Sequence, residues 1–367
     1  MKRISVIIVS ICVFGALVFG VFASSILNGI NNIISPKKTE EIIQNDTQNS
    51  EEEMPSPTPT AVNPQEINMQ WHKSFDRNEL YAAAFGNGVY VAVGADGIIK
   101  TSADGQTWNI AASYSILLHS VVWGNNQFVV VGNLGKIYYS SDGSGWAAAS
   151  SGTDRDLKGV AWNGSLYAAV GDKGTILTSN DGVNWTKQPL QTEYSISNII
   201  SGKGKFIATL SDTFNIVLAS GDGITWNTVE PLGQNYGYYN AAFDGSTFFM
   251  NGKIPNQSEE YVTVTSENGT DWAETENSPK IRSITSNGNG FVAIGDSQMD
   301  ESGVLTQPIY SSENGTDWTT KEAKWDKAYF SDLRFLYWCN DKYIGLKYSG
   351  EAYSSADALA WNRENST

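Results

Sequence analysis

The fold is decided by a short phrase that recurs along the chain: TSADGQTW at residues 101–108, TSNDGVNW at residues 178–185 and SSENGTDW at residues 311–318. Each copy has Asp or Asn two residues after a Ser, and Trp six residues after it. The spacing between successive tryptophans, 38 to 46 residues, is typical of four-stranded propeller blades. The seven copies are Ser102/Asp104/Trp108, Ser140/Asp142/Trp146, Ser179/Asp181/Trp185, Ser220/Asp222/Trp226, Ser266/Asn268/Trp272, Ser312/Asn314/Trp318 and Ser355/Asp357/Trp361.

The phrase has the composition of a tight turn that leads into a strand. Gly follows the Asp or Asn in six copies, and Asp-Gly and Asn-Gly suit turns because Gly adopts positive φ at little cost. The Asp or Asn side chain can accept hydrogen bonds from the backbone just ahead of it. The last copy has Ala358 in place of Gly, so we expect that turn to be the least regular. Repetition in every copy favours a structural role for these residues over a catalytic one.

The tryptophan that ends each phrase is predicted to be the first residue of the next strand. We expect it to bury its ring, which offers on the order of 150–250 Å² of surface. The prediction is the same for all seven copies of the phrase, because the spacing from Ser to Trp never changes.

Between the phrases, short apolar runs alternate with Gly-Asn, Asn-Gly or Asp-Gly breaks, as in GVAWNGSLYAAVGDKGTILTSNDGVNW at residues 159–185. This alternation is that of strands joined by turns. The sequence therefore predicts an all-β fold, a closed seven-bladed β-propeller of four-stranded blades, over residues 67–367.

The phrases resemble the Asp-box or BNR repeat, and the fuller pattern is seen in GDKGTILTSNDGVNW, Gly171 to Trp185. The chain is thereby similar to propellers grouped with sialidase-like and photosystem II assembly-factor-like repeat proteins. This resemblance implies blade architecture and no particular chemistry, because one fold hosts many functions. Sialidases of this fold use an arginine triad, and no arginine here has a matching context. No catalytic residue is carried over from the resemblance.

The first 66 residues predict two further segments. Residues 1–35 begin with MKR followed by about twenty apolar residues, the length of a membrane-spanning helix. A signal peptide cleaved near Ala23 is the alternative. Residues 36–66 are acidic, rich in Pro and Thr and poor in large apolar side chains, so we expect a disordered linker. Both alternatives place the propeller outside the cytoplasm, either as a single-pass protein of the cell membrane or as a secreted one.

Several classes of function are disfavoured by composition. The two cysteines, Cys12 and Cys339, and the two histidines, His72 and His119, provide no metal-ligand spacing. The formal charge of −15 disfavours nucleic acid as a partner. No Gly-rich phosphate loop is present. We therefore predict no cofactor and no metal.

Candidate ligand contacts lie in the segments that break the repeat, namely the connections between blades and the lengthened loops in blades five and six. Variable loops on one face of a repeat protein often form its binding face. Aromatic rings there can stack on sugars or anchor proteins, and Asp76, Asp154 and Asp156 offer a possible glycosidase-like carboxylate pair. The candidates are Asp76, Arg77, Asp154, Arg155, Asp156, Glu193, Tyr194, Tyr236, Tyr238, Tyr239, Asp326, Tyr329 and Asp332.

These observations favour a non-enzymatic, membrane-tethered and monomeric binding module whose ligand is a protein or an envelope polysaccharide. Two alternatives remain open at this point. One is a secreted carbohydrate-active hydrolase, which requires carboxylates of raised pKa near the propeller axis. The other is an assembly factor for a membrane complex, which the repeat resemblance implies.

Overall fold

The computed structural model describes residues 79–189, 192–211, 213–232, 236–253, 261–276, 279–299, 305–323, 333–363 and 365–366. These residues form seven blades of four antiparallel strands; a fifth strand joins the first blade in parallel, and blade six has one extra two-stranded hairpin. The predicted seven-bladed, four-stranded propeller is confirmed. The predicted anchor, residues 1–35, and the predicted linker, residues 36–66, lie outside the described residues.

The strands follow one another along the chain, and each blade is built from consecutive strands. Blades one to three are β1 Leu80–Gly86, β2 Val89–Gly94, β3 Ile99–Ser102 and β4 Thr107–Ala112; β5 Leu118–Gly124, β6 Gln127–Gly132, β7 Ile137–Ser140 and β8 Ala147–Ala149; and β9 Leu157–Trp162, β10 Tyr167–Gly171, β11 Thr175–Ser179 and β12 Thr186–Lys187. Blades four and five are β13 Ile196–Gly202, β14 Lys205–Leu210, β15 Val217–Ser220 and β16 Asn227–Val229; and β17 Gly237–Phe243, β18 Phe248–Lys253, β19 Tyr261–Ser266 and β20 Ala273–Thr275. Blade six is β21 Ile281–Ser286, β22 Phe291–Gly295, the hairpin β23 Gln298–Met299 and β24 Leu305–Thr306, then β25 Pro308–Ser312 and β26 Thr319–Glu322. Blade seven is β27 Phe335–Cys339, β28 Lys342–Leu346, β29 Ala352–Ser355 and β30 Asn362–Arg363, followed by β31 Asn365–Ser366.

The core lies between neighbouring blades, because each sheet is apolar on both faces. The first strands of the blades lie side by side around the axis, and the second strands are almost completely buried. Between blades two and three, for example, Val129 and Val131 pack with Leu157 and Tyr167. Strands buried on both faces read as near-continuous apolar runs. The runs FVVV in β6 and YAAV in β10 follow this rule.

The ring closes by packing blade seven against blade one. Leu346 of β28 and Leu80 of β1 share one buried cluster, and the Tyr337 hydroxyl donates to the Tyr81 carbonyl at 2.6 Å. Residues beyond blade seven add to this closure, since β31 pairs in parallel with β4, the outer strand of blade one. Both ends of the described propeller are thus tied to the same pair of blades.

The Asp-box turns are held by a common set of hydrogen bonds. In blade one, Ser102 Oγ donates to Asp104 Oδ1 at 2.9 Å and accepts from the Gly105 N–H at 2.8 Å. Asp104 Oδ1 also accepts from the next two backbone N–H groups, at 2.8 and 2.7 Å. Trp108 Nε1 donates to the Gly105 carbonyl at 3.3 Å. The turn therefore satisfies its own polar groups while it places the indole ring against the blade.

Trp108 has the predicted burial and lies in the predicted strand, as its second residue, whereas the prediction is wrong in part for the other six tryptophans. Trp108 lies inside β4 and is only 4% exposed, because β31 pairs with β4 directly beside it. The other six lie one residue before the outer strand of their blade and are only partly buried. They are Trp146, Trp185, Trp226, Trp272, Trp318 and Trp361. Among the residues that the structure describes, their blades have no fifth strand beside the ring, and each indole stays partly accessible to solvent.

The partly buried rings still contribute to the core. Trp146 contacts Phe128 with ring centroids 6.3 Å apart, and Trp226 stacks on Phe206 at 6.2 Å. Trp318 meets the ring of Phe249 edge-on at 5.4 Å. The structural role predicted for these residues is therefore supported, although each ring buries less surface than a fully enclosed one.

The indole N–H groups also differ between blades. Trp146 Nε1 and Trp226 Nε1 donate to the glycine carbonyls of their own turns, at 2.9 and 3.0 Å. The Nε1 atoms of Trp272 and Trp318 are buried and have no hydrogen-bond partner among the described residues. These two belong to the turns with Asn in place of Asp, so the Asn turns of blades five and six lack one bond of the common set.

The last turn keeps most of the common hydrogen bonds but lacks one of them. In the six other turns the Gly N–H donates to the Ser Oγ, whereas among the described residues the Ala358 N–H makes no such bond to Ser355 Oγ. The turn therefore departs from the other six at the position where Gly is missing, as expected. Ala358 takes the left-handed conformation, with φ of 61°. Its carbonyl accepts from Trp361 Nε1 at 3.0 Å, and Asp357 Oδ1 accepts from the next two backbone N–H groups at 2.8 and 3.0 Å. Forcing a residue with a Cβ into this region costs about 1–2 kcal/mol, which the other hydrogen bonds of the turn offset.

Five of the seven turns should make the stability of the propeller sensitive to acid. Backbone N–H groups lower the pKa of Asp104 to about 2, and the same kind of bonds lower the pKa of Asp142, Asp181, Asp222 and Asp357. A lowered folded-state pKa gives stability that is complete above about pH 4 and is lost as the pH falls towards 2. In blade five, Asn268 Oδ1 accepts the equivalent bonds at 2.9 and 2.8 Å without titrating.

Changing these five aspartates together to Asn should therefore reduce the acid sensitivity. We expect the fall in unfolding temperature between pH 5 and pH 2.5 to shrink by roughly half, as measured by circular dichroism. The control removes the same charge elsewhere, by changing five exposed glutamates to Gln. An equal flattening in the control would contradict the prediction, because it would assign the effect to net charge. The control residues are Glu193, Glu230, Glu267, Glu274 and Glu313.

Candidate functional site

The propeller has two faces, which differ in their loops. On one face, called the connector face, the connections between blades meet the turns between second and third strands; for example, the Ala95 N–H donates to the Glu79 carbonyl at 2.8 Å. On the other, called the Asp-box face, the Asp-box turns meet the turns between first and second strands. There, Asn87 Nδ2 of blade one donates to the Ser141 carbonyl of blade two at 3.2 Å. The Asp-box face is therefore occupied by repeated contacts between blades.

A β-bulge lies at the connector end of the innermost strand in six blades. In β1 the pairing with β2 skips Tyr81, and in β5 the pairing with β6 skips His119. Blade seven has an equivalent place, where Phe335 pairs with Leu346 and the Arg334 N–H also donates to the Leu346 carbonyl. Bulges re-aim side chains and occur next to functional sites. The seven side chains, here called the axial ring, are Tyr81, His119, Lys158, Ser197, Tyr239, Arg282 and Arg334.

In blades one to three the bulge lies beside a glycine at the end of the second strand. In blade three, the Asp156 carbonyl accepts from the Asp172 N–H at 2.9 Å, directly beside Gly171. A Cβ on Gly171 would lie only 1.9 Å from that carbonyl oxygen. Gly94 and Gly132 have the same close approach to the connections before blades one and two. The glycine thus allows the connection to cross tightly, and this crossing positions the axial residue.

One arc of the axial ring is aromatic. The rings of Tyr81 and His119 are stacked with centroids 6.4 Å apart, and Phe335 meets Tyr81 edge-on at 6.1 Å. His119 Nε2 lies 2.6 Å from Asn133 Oδ1. Burial lowers the pKa of His119, which favours the neutral ring at physiological pH. This arc offers flat apolar surface with hydrogen-bonding edges.

The other axial side chains are mainly polar and basic. Lys158 pairs with Asp156 at 3.1 Å, and Arg282 Nε donates to Asp296 at 2.7 Å. Arg334 lies over the ring of Tyr348, 5.0 Å from its centroid. No member of the ring is acidic, although the whole chain carries a formal charge of −15. The axis at the connector face therefore differs in chemistry from the chain as a whole.

Blade five breaks the core pattern close to Tyr239. Blades one to three place Val opposite Ile on the second and third strands, as in Val131 opposite Ile137. Blade five instead places Asn251 opposite Thr263, and both are completely buried. Asn251 Nδ2 lies 3.5 Å from the Tyr239 hydroxyl and 3.4 Å from the Ile281 carbonyl of blade six. Among the described residues, Asn251 Oδ1 and Thr263 Oγ1 have no hydrogen-bond partner.

Exposed apolar side chains concentrate on the connector face. In the described part of the chain six large apolar side chains are exposed. Leu134, Phe214 and Tyr348 follow second strands, and Tyr194 lies in a connection between blades. Ile110 and Ile224 are elsewhere, on β4 and in an Asp-box turn. Leu134 is 59% exposed and has a positive φ of 56°, which a bulky side chain rarely adopts.

Some of the site residues predicted from sequence are exposed on the connector face, and others are buried or lie outside the described residues. Asp154, Arg155, Glu193 and Tyr194 are exposed on the connector face, and Tyr239 belongs to the axial ring. Asp76, Arg77, Asp326, Tyr329 and Asp332 lie outside the described residues. Tyr236 and Tyr238 are not exposed on this face, because they are only 9% and 3% exposed. Both pack in the apolar cluster between blades four and five, Tyr238 from β17 and Tyr236 from the residue just before it.

Asp156 has a structural environment rather than that of a proton donor. Burial raises its pKa, but the hydrogen bond from the Leu134 N–H and the pairing with Lys158 outweigh burial, so the net pKa is lowered. Every carboxylate with a shifted pKa in the described ranges is lowered in the same way. A glycosidase acid requires the opposite shift. This observation gives no support to the hydrolase alternative.

No metal site or reactive thiol appears within the described ranges. They contain no group of three or more His, Cys, Asp and Glu side chains that could hold a metal ion. Cys339 is buried and unpaired, and burial raises its pKa to about 12. A thiol with this pKa stays protonated and is a poor nucleophile.

Sequence reasoning found only Tyr239 of the axial ring. A bulge shifts the in-out alternation of a strand by one residue, so the other members look like ordinary strand positions. Aligning the seven blades would have exposed them. At the bulge position of the innermost strand, successive blades have Tyr, His, Lys, Ser, Tyr, Arg and Arg. The residue just before the bulge is Leu or Ile in six blades and Tyr238 in the other.

Comparisons with known proteins agree on the fold. Residues 118–344 match a family described as "DUF6242 beta propeller domain". Among solved structures, YCF48 bound to a D1 peptide is 16% identical with a TM-score of 0.55, covering 73% of this chain and 90% of that one. YCF48 from Cyanidioschyzon merolae is 14% identical with a TM-score of 0.51, covering 74% and 93%. The Pan2 WD40 domain of Neurospora crassa is 10% identical with a TM-score of 0.56, covering 79% and 90%.

At these identities the structural likeness concerns the fold alone. No curated protein matches the chain in sequence. Within the described ranges, no helix combines the length and the apolar character needed to cross a membrane.

Proposed function

The chain belongs to the DUF6242 β-propeller domain family, and we propose that it is a non-enzymatic module that binds a segment of a partner protein on its connector face. One observation carries this proposal: four of the six exposed large apolar side chains in the described part of the chain lie on that face, around an axial ring whose members differ from blade to blade. Exposed apolar groups at variable positions of a repeat protein are typical of a binding surface.

A protein segment is favoured over a polysaccharide by two observations. The exposed side chains include Leu134, an aliphatic residue that offers little to a sugar ring but suits an apolar protein side chain. YCF48, which shares the propeller fold, is bound to a D1 peptide. A rigid ring with fixed strands and variable axial side chains can hold an extended segment without first ordering itself, which limits the entropy lost on binding.

We place this activity outside the cytoplasm, on the basis of the N-terminal sequence pattern. Residues 1–35 would anchor the chain in the cell membrane, and residues 36–66 would hold the propeller away from the membrane surface. Such a tether suits a factor that assists the assembly of a membrane complex. Mass spectrometry of the protein from purified membranes tests this point: an intact N-terminus supports the anchor, and a chain that begins near residue 24 indicates a cleaved signal.

Site-specific photo-cross-linking in envelope preparations of the source organism tests the binding face. Benzoylphenylalanine replaces Tyr194 on the connector face and, as the matched control, Ile224 on the Asp-box face; both side chains are about half exposed, at 46% and 53%. We expect a discrete protein adduct from position 194 and none from position 224. The adduct should weaken several-fold when Leu134→Asn is added, because an exposed apolar anchor is lost.

The stability of the Leu134→Asn variant shows whether it folds like the parent protein. Asn tolerates positive φ better than Leu, so the variant should be as stable as the parent protein or slightly more so. Equal adducts from positions 194 and 224, or no adduct from either, would contradict the proposed binding face.

A further inference from the structure

A cavity with almost entirely apolar walls lies on the connector face, between blades four and five. Its volume is about 300 Å³, at the lower end of the range for ligand pockets. Leu210, Phe214 and the adjacent Tyr238 and Tyr239 form its walls. Lys253 lies at the same site, and its side chain makes no ion pair or hydrogen bond with any described residue.

The cavity arises where blade four departs from the repeat. Blades one to three end their second strand with Gly and continue into a 3-10 turn, Ala95–Gly97 in blade one. Blade four instead has Leu210 at this position and six residues, 211–216, before β15 begins. The Asn215 N–H donates to the Tyr236 carbonyl at 2.7 Å. This bond holds the longer turn against the next connection and fixes Phe214 as a wall.

The shape and charge of the cavity select one kind of occupant. Phe214 is 46% exposed, so its ring is available to a ligand at no cost in unpacking the core. Aromatic walls favour an aromatic ring as occupant, since offset and edge contacts add to the burial of area. Lys253 places beside the apolar walls a cation that has no side-chain partner in the described part of the chain, and such a cation favours a carboxylate. A single side chain fills a cavity of this size, whereas a polymer does not.

We propose that this cavity binds an aromatic side chain of the partner segment, with an adjacent acidic residue of that segment paired to Lys253. The inference rests on the proposed function, because it names the anchor by which the partner is held. The axial ring borders the cavity through Ser197 and Tyr239, which line both. A segment anchored here would therefore continue over the axis.

Short peptides test the chemistry directly on the full-length chain. The probes are acetyl-Phe-Glu-amide, acetyl-Phe-Lys-amide and acetyl-Ala-Glu-amide, and binding is measured by saturation-transfer NMR. We expect the first to bind with a Kd on the order of millimolar, as ligands of this size do. The Lys peptide should bind at least about five-fold more weakly because of repulsion by Lys253. The Ala peptide should show no saturable binding.

Two variants assign the binding to the cavity. Phe214→Ala should weaken the Phe-Glu peptide at least about five-fold, and Lys253→Met should remove the preference for Glu over Lys while retaining binding of the ring. Ile224→Ala and Lys187→Met, which alter an exposed apolar residue and an exposed cation elsewhere, should bind like the parent protein. Binding that is unaffected by Phe214→Ala, or no binding of either Phe peptide, would overturn the proposal.

The two proposals fail in different ways. If the peptides do not bind but position 194 still yields a discrete adduct, the cavity is not the anchor and the binding face stands. If neither experiment succeeds, both proposals fall. A concentration-dependent dimer that Phe214→Ala abolishes, seen by sedimentation, would assign the cavity to a second copy of the chain and would also overturn the inference.

Discussion

Gly171→Ala is expected to lower the free energy of unfolding by about 3 kcal/mol. A Cβ at this position would lie 1.9 Å from the Asp156 carbonyl oxygen and 2.9 Å from its carbon. Both atoms belong to the backbone, so no side-chain rotation can relieve the overlap. The connection before blade three must move, and the hydrogen bond from the Asp172 N–H at 2.9 Å would be lost with it. Chemical denaturation followed by tryptophan fluorescence measures the change.

The matched control is Gly145→Ala. A Cβ added at Gly145 would meet no atom within 4 Å, and this glycine has no positive φ, so Ala should be neutral or slightly stabilising. The bulge that carries Lys158 depends on the same crossing as Gly171, so Gly171→Ala should also disturb the axial ring. A loss at position 171 no larger than at position 145 would show that the close approach is not needed for stability.

The second large effect is an increase in the free energy of unfolding. The double change Asn251→Val with Thr263→Ile restores in blade five the apolar pair of blades one to three. We expect it to raise the free energy of unfolding by about 2 kcal/mol, because two completely buried polar groups without full hydrogen bonding are removed. The hydrogen bonds lost, at 3.5 and 3.4 Å, are long and therefore weak. Thermal and chemical denaturation at neutral pH check this expectation.

The mirror-image change in blade two is the control. Val131→Asn with Ile137→Thr places the polar pair where the chain has an apolar one, at two side chains that are 0% and 1% exposed. It should destabilise the propeller by several kcal/mol, on the order of 3–5. If the change in blade five also destabilises, the polar pair is satisfied and structural. If it stabilises but weakens cross-linking at position 194, the pair was retained for binding at a cost in stability.

The blade count and the strand order could be predicted from the sequence because the motifs that indicate them are local. A Ser, an Asp or Asn, a Gly and a Trp within seven residues form a turn whose hydrogen bonds join atoms at most three residues apart, as in Ser102 with Gly105. The same turn forms wherever the phrase occurs, so counting phrases counts blades. The effect of Ala358 is local as well: it takes the left-handed conformation, with φ of 61°, but among the described residues its N–H does not donate to Ser355 Oγ as the Gly N–H does in the six other turns.

The sequence predicted the Asp-box turns better than it predicted the burial of their tryptophans. Trp108 and Trp146 end the same phrase, yet only Trp108 is fully buried. The difference arises from β31, which comes from the far end of the chain and pairs with the outer strand of blade one alone. No signal within the phrase could indicate this pairing.

The residues of the candidate site were also harder to predict from the sequence than the turns. Tyr194 was predicted from its connection and is exposed, but Tyr238 was predicted by the same reasoning and is buried. The two differ in whether a neighbouring blade covers them; Tyr238 packs with Ile207 and Val217 of blade four. The bulge that places Tyr81 or Lys158 at the axis is equally non-local, because it forms where a connection crosses the end of the second strand.

Sequence alone was enough to establish the repeat, the turn chemistry and the all-β class, since each of these depends on interactions within a few residues. The three-dimensional arrangement was needed to learn which side chains surround the axis, which tyrosines and tryptophans are covered and where a cavity opens. Closing seven sheets into a ring brings together residues from different blades, and the bulge, the polar pair of blade five and the cavity beside Phe214 all follow from those contacts.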